Sequence, residues 1–327
     1  MVFLFRDKSV INIFFLAILC IGIHIHFFVD SPVVVTHAGD GFFSWFLDNY
    51  IKPLPQPALF MLYHAVIIIQ AIRLNMVLND LRMFQLNSYI AAMSYVLLSG
   101  ILTQWCSITP ALLANFLLIW LFTRLCRLFN NPSPKTLLFN TGLIVGLSVI
   151  CYHPTAVLII VVLFALIEIR PFDMAEWVVL IMGILLPYYF LFSYFFLADD
   201  LRHFMAYVPV PQWTLPASEW TPLLIVCLGV ILVVLLLGLY YWQLTNKRMV
   251  IQIRKNWALM LMLLIILLAI PFIFSHAGIE SGLMALVPIA AFAANAFSYP
   301  RRQLLPNIIF WLCIAVIAYN NWLFLSK

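Results

Sequence analysis

The sequence predicts an all-α, polytopic transmembrane helical bundle forming a single membrane domain over residues 1–327, and three observations carry that reading. Of the 327 residues, 65% are hydrophobic and 9% are charged, where an average soluble domain carries roughly 25% charged residues. The apolar residues run unbroken over bilayer-spanning lengths, without the period-two alternation of an outer-membrane barrel. Lys and Arg gather on alternate sides of those runs, as membrane orientation requires. A soluble globule of this length could not hide so much apolar surface, and a disordered chain needs the opposite composition. Six Cys, all inside apolar runs, exclude a secreted disulfide scaffold and read as small packing residues.

About eleven spans follow in order, each near the 20 residues a bilayer needs. The run 10–29 comes first, and Arg6 and Lys8 ahead of it place the N-terminus in the cytoplasm. It is too long for the apolar region of a cleaved signal peptide. The run 58–78 ends among Gln70, Arg73, Asn75, Asn79, Asp80 and Arg82, polar groups suited to helix–helix hydrogen bonds and to snorkelling. Runs 88–105 and 111–129 follow, the latter closing on Arg124 and Arg127. Runs 137–152 and 155–169 meet at His153-Pro154, where Pro makes the turn. The turn Arg170-Pro-Phe-Asp173-Met-Ala-Glu176-Trp177 introduces 177–197 with a Pro stop and a Trp anchor. Runs 222–242, 257–274, 282–297 and 308–324 complete the set. The fifth, sixth and tenth read as short, which suits buried positions or a thinned bilayer.

Alternating sides from a cytoplasmic N-terminus places 14 of the 17 Lys and Arg inside and leaves Lys52, Arg202 and Lys327 outside. The C-terminus then faces outward, away from the cytoplasm. The long outer connections are 30–56 and 198–221; the inner connection 245–256 is basic and suits anionic lipid. The net charge of +5 thus belongs to orientation in a lipid bilayer, and nucleic acid is not an expected partner.

Under this topology all seven His and seven of the twelve acids fall in the outer half or outer loops. Groups that move protons, or bind metal and phosphate, therefore collect on one side. The first outer loop reads His37-Ala-Gly39-Asp40-Gly41 and continues to Asp48, Tyr50 and Lys52. Gly39 and Gly41 allow a tight turn around Asp40. Residues 41–51 read as an interface helix whose Phe42, Phe43, Trp45, Phe46 and Tyr50 lie at the membrane surface. Asp40 is either the N-cap of that helix or a catalytic acid, with Asp48 second. The second outer loop carries Asp199-Asp200-Leu-Arg202-His203. Arg202 and His203, with Lys52, suit a lipid phosphate. The paired acids suit a divalent cation, the one cofactor type the residues suggest. His153, His276 and Glu280 complete the outer-face candidates; the last two share a face if their turn is helical. His24 and His26, two apart, do not.

Two resemblances bear on function. Gln70-Ala-Ile-Arg73-Leu-Asn75, Phe139-Asn-Thr-Gly142-Leu-Ile-Val-Gly146 and Arg170-Pro-Phe-Asp-Met-Ala-Glu-Trp177 are similar to stretches of an uncharacterised integral inner-membrane family of Bacteroidota. That resemblance implies a location only. The layout also resembles the polyprenyl-phosphate-sugar-dependent glycosyltransferases of the GT-C superfamily, with a cytoplasmic N-terminus and a first outer loop bearing an interface helix. In that family an acid near the start of the loop is the base or metal-linked catalyst, and Asp40 holds that position. Gly41 follows it, where members often carry a second acid. The resemblance implies sugar transfer at the outer leaflet, with Arg202, His203 and Lys52 on the leaving phosphate. Two other functions fit the composition. One is a non-enzymatic subunit of an envelope-biogenesis assembly, with other membrane proteins as partners. The other, ranked third because the central spans hold so few ionisable groups, is a transporter or flippase.

Overall fold

The computed structural model describes residues 2–7, 9, 11–37, 39–129, 131, 133–212, 221–300 and 303–325, with the backbone alone at His203, Phe324 and Leu325. Lys8, Glu219, Arg301, Arg302 and Lys327, used in the charge reading, lie outside the described residues.

Every expected run contains a helix. The helices are α1 (Ile11–Ile23), α2 (Phe42–Phe46, continued by a π-helical turn Leu47–Ile51), α3 (Gln56–Asp80), α4 (Ile90–Ser99), α5 (Pro110–Cys126) and α6 (Pro134–Cys151). They continue with α7 (Leu158–Ile169), α8 (Met174–Leu197), α9 (Leu201–Met205), α10 (Pro222–Asn246), α11 (Ile251–Leu268), α12 (Ile270–Ile273), α13 (Leu286–Ser298) and α14 (Leu304–Leu325). Seven helical segments are long and apolar enough to cross a membrane, and four shorter apolar ones fill the other runs. The starts follow local chemistry. Pro occupies the first turn of α3, α5, α6 and α10, where its missing N–H is harmless. Thr109, Asp173 and Thr221 accept hydrogen bonds from the first-turn amides of α5, α8 and α10.

Contacts between loops support the alternation of sides. At the basic end Arg6 donates to Phe297 O, Lys255 to Glu168 O, and Trp257 Nε1 to Met83 O. At the other end, called the outer rim below, Val34 bridges to Ile108 and Gln212 to Phe274. Each of these contacts joins loops or span ends that the charge pattern put on one side.

Of the three spans read as short, the sixth is: α7 has 12 residues, and even with its 3-10 lead-in the helical stretch His153–Ile169 stays among the shorter ones. The other two are not. The fifth is the 18-residue α6, and the tenth belongs to a 20-residue helical segment, Ile279–Ser298. The third run instead stops as a helix at Ser99, and the first at Ile23, before a 3-10 turn Ile25–Phe28. Distant side chains satisfy the freed carbonyls. Asn320 Nδ2 donates to Ile101 O at 2.7 Å, Asn321 Nδ2 to Ile23 O at 2.9 Å, and the Tyr63 hydroxyl to Trp105 O at 3.3 Å. Irregular backbone at membrane depth survives only where protein replaces the missing partners.

α8 packs along α6 through glycines. A Cβ on Gly146 would meet Ile184 O, and one on Gly183 would meet Phe139 O, both well inside contact distance. Gly146→Ala is therefore expected to push α8 off α6 and to cost about 1–3 kcal/mol, the usual penalty of overpacking. Gly22→Ala, whose Cβ meets nothing within 4 Å, serves as control. Thermal unfolding in detergent followed by size-exclusion chromatography checks this: equal midpoints for the two variants would refute the packing.

Candidate functional site: an acid–histidine cluster at the outer rim

The site begins with two glycines in the left-handed region, Gly39 at φ +87° and Gly41 at φ +102°. Gly41 lies on the end of α6, where a Cβ would come within 2.8 Å of Ile150 O. His153 N donates to Asp40 O at 3.0 Å, closing the clamp. The carboxyl of Asp40 consequently turns inward and is 1% exposed. It does not cap α2, whose N-cap is Gly41. Oδ2 accepts from His37 N at 3.3 Å, while Oδ1 has no hydrogen-bond partner and lies 3.8 Å from His276 Nε2.

The opposite wall comes from the turn between α12 and α13. That turn is two 3-10 pieces joined by Gly278 at φ +64°, rather than one α-helix. The reversal brings both His276 and Glu280 to the cluster, with Glu280 Oε2 3.9 Å from His37 Nε2. His153, at the start of the 3-10 turn His153–Val157, adds a buried imidazole whose Nε2 has no hydrogen-bond partner.

Burial pushes the Asp40 carboxyl up to about 6, against an opposing pull from the His37 charge. The Glu280 carboxylate raises His37 above the ordinary imidazole value despite partial burial. Burial, and then the His37 charge, hold His276 below it. The arrangement is a desolvated carboxyl that changes charge near neutrality, next to one imidazole inclined to be cationic and one inclined to be neutral. Such groups do proton-transfer work.

Not every expected residue joins. Asp48 and Lys52 form an i,i+4 ion pair at 3.7 Å on the exposed face, and Thr36 Oγ1 also donates to Asp48, at 2.9 Å. Asp199, Asp200 and Arg202 line a shallow dip at the α8–α9 turn, and no described contact joins Arg202 to the cluster. The side chain of His203 lies outside the described residues. The cluster offers a metal ion two-ligand pairs, Asp40 with His276 and His37 with Glu280. Among the described residues the three-ligand group is elsewhere: Cys20, His24 and His64. Reading the residues singly passed over it, because His64 comes from another span.

Fold and site together define a polytopic helical membrane protein with a desolvated carboxylate–imidazole cluster at one rim. The chain belongs to a family of unknown function, DUF6427, whose model matches residues 51–325. His153, His276 and Glu280 lie within the matched stretch, and His37 and Asp40 precede it. No curated protein and no solved structure matches the chain.

Proposed function

We propose that this protein transfers a sugar from a polyprenyl-phosphate donor at the outer leaflet of a bacterial inner membrane, in the manner of GT-C glycosyltransferases. One observation carries the proposal: Asp40, on the loop entering an aromatic surface helix, is buried with Oδ1 lacking a hydrogen-bond partner. In the reaction the acceptor hydroxyl gives its proton to Asp40 and its oxygen bonds to the anomeric carbon. The bond from that carbon to the phosphate oxygen breaks, and polyprenyl phosphate leaves. A base near pKa 6 is mostly ionised at neutral pH and still accepts a proton readily. Lys52 is engaged by Asp48 and Arg202 sits on a separate turn, so the leaving phosphate falls to His37. The exposed Phe42, Trp45 and Tyr50 of the surface helix suit the prenyl tail. The charge asymmetry supports a fixed orientation in that membrane.

The test is transfer of radiolabelled hexose from polyprenyl-phosphate donors by protein in lipid nanodiscs. kcat/KM is expected to rise with pH through a limb centred near 6, as the raised Asp40 carboxyl ionises. A rate that falls with pH across that window contradicts Asp40 as base.

A second reading rests on a different observation. The most apolar window of α8 is only 17% buried, a surface that a partner subunit of an envelope-biogenesis assembly would cover. A stoichiometric partner cross-linking to α8, together with no transfer from any donor, would favour that reading.

A further inference from the structure

Below the rim, where the helices of the first and third runs break, three side chains meet in the interior. Cys20 and His24 come from one turn at the end of α1, and His64 from α3; each offers a ligand atom, and these atoms all lie within 4.8 Å of one another. The partner of His24 is thus not its neighbour His26 but His64, whose ring stands edge-on to it with centroids 5.6 Å apart.

Both rings are held in the same way. His24 Nδ1 lies 2.9 Å from Cys20 O, and His64 Nδ1 lies 2.8 Å from Phe60 O, each a carbonyl four residues back. An Nδ1–H given to a carbonyl leaves Nε2 as a lone pair, which is how metal-binding imidazoles are oriented. His64 is 5% exposed, yet its Nε2 has no hydrogen-bond partner. His24 Nε2 lies 3.2 Å from the Tyr63 hydroxyl, whose single proton has a second acceptor in Trp105 O at 3.3 Å. An ion on His24 Nε2 therefore turns Tyr63 wholly to Trp105 and orphans no donor.

We propose that Cys20, His24 and His64 bind one Cu(I) ion through a thiolate and two imidazoles. Ligand softness favours copper, and charge decides between it and zinc. Net charge is costly in an apolar interior. Cu(I), one thiolate and two neutral imidazoles sum to zero, whereas Zn(II) leaves a net positive charge and asks for a fourth ligand. Binding breaks the Cys20 S–H bond, forms S–Cu and releases a proton; nothing is oxidised or reduced. A cleft of about 200 Å³ at the outer rim is lined by His26, Asp30 and Cys106. Phe27, which also lines it, stacks on His24 at 5.5 Å.

The experiment titrates the full-length protein in nanodiscs with Cu(I) under anaerobic ascorbate, against bicinchoninate as competitor, and records X-ray absorption of the product. One copper per chain, with one sulfur and two nitrogen neighbours, is expected. Cys20→Ser and His64→Gln are each expected to weaken binding more than about 100-fold, beyond what loss of an outer partner costs. The proposal is overturned if the wild-type protein yields its copper to the competitor. A sulfur-free shell, Zn(II) retained in preference to Cu(I), or binding that survives His64→Gln overturns it equally. The readout is metal binding, so it stands or falls independently of sugar transfer.

Discussion

Asp40→Asn is expected to lower sugar transfer by about 10²–10⁴-fold, the range that loss of a general base removes, while the protein stays folded. Asn matches the shape of Asp, and its carbonyl oxygen still accepts from His37 N, so the turn between Gly39 and Gly41 persists. It cannot take a proton. The sign of the stability change separates a lost base from a broken site. The folded Asp40 carboxyl titrates near 6, above its ordinary value of 3.8, because burial disfavours the charge. Below the ordinary value the carboxyl is protonated whether folded or unfolded, and it costs nothing. As pH rises from 3.8 to about 6 the folded state resists ionisation, and the cost accumulates. Asp40→Asn removes that cost, so its melting temperature at neutral pH should equal or exceed the wild-type value, with the difference closing in acid. Asp48→Asn is the matched comparison. It breaks an exposed ion pair with Lys52, worth about 0–1 kcal/mol at the surface, and should leave transfer within a few-fold. Equal activities for Asp40→Asn and wild type eliminate the mechanism.

The largest stability loss is expected from Arg170→Met, at about 3–5 kcal/mol, the cost of stranding a buried partner charge. Arg170 Nε donates to both carboxylate oxygens of Glu176, at 3.1 and 3.0 Å. Its Nη1 donates to Leu128 O at 3.4 Å and to Asn131 O at 3.1 Å. One guanidinium thus ties the start of α8 to the end of α5 at the basic end of the bundle. Glu176 is 4% exposed, so Met at 170 leaves a carboxylate without a counter-charge and two carbonyls without a donor. Adding Glu176→Met removes the stranded charge and should recover part of the loss. Unfolding midpoints of the single and double variants measure this. A single variant as stable as wild type would show that the pair does not hold the turn.

The spans, and which loops share an end of the bundle, were legible because both signals are local. A bilayer demands long apolar runs, and Lys and Arg report each side within a few residues. The helix breaks were not legible, because Ile23 and Ile101 owe their satisfied carbonyls to Asn321 and Asn320, from the far end of the chain. At the rim, Asp40 stood out through its flanking glycines and its loop. The engagement of Asp48 with Lys52 was passed over in favour of separate roles for the two, although residues four apart on a helix are neighbours. The convergence of His276 and Glu280 on His37 and Asp40 depends on the reversal at Gly278, which spacing does not announce. The Cys20–His24–His64 group was half visible, as two residues four apart at the end of α1, but its third member comes from α3.

Proton transfer at the rim requires Asp40 to be a desolvated carboxyl that titrates near neutrality. Difference infrared spectroscopy of the protein in nanodiscs, titrated with acid, follows the carbonyl stretch of protonated carboxyls, and the Asp40→Asn variant assigns the band. A band that is lost in the variant and titrates with a midpoint near 6 is the expected result. A midpoint at the ordinary carboxylate value of 3.8 would place Asp40 in water and contradict the account.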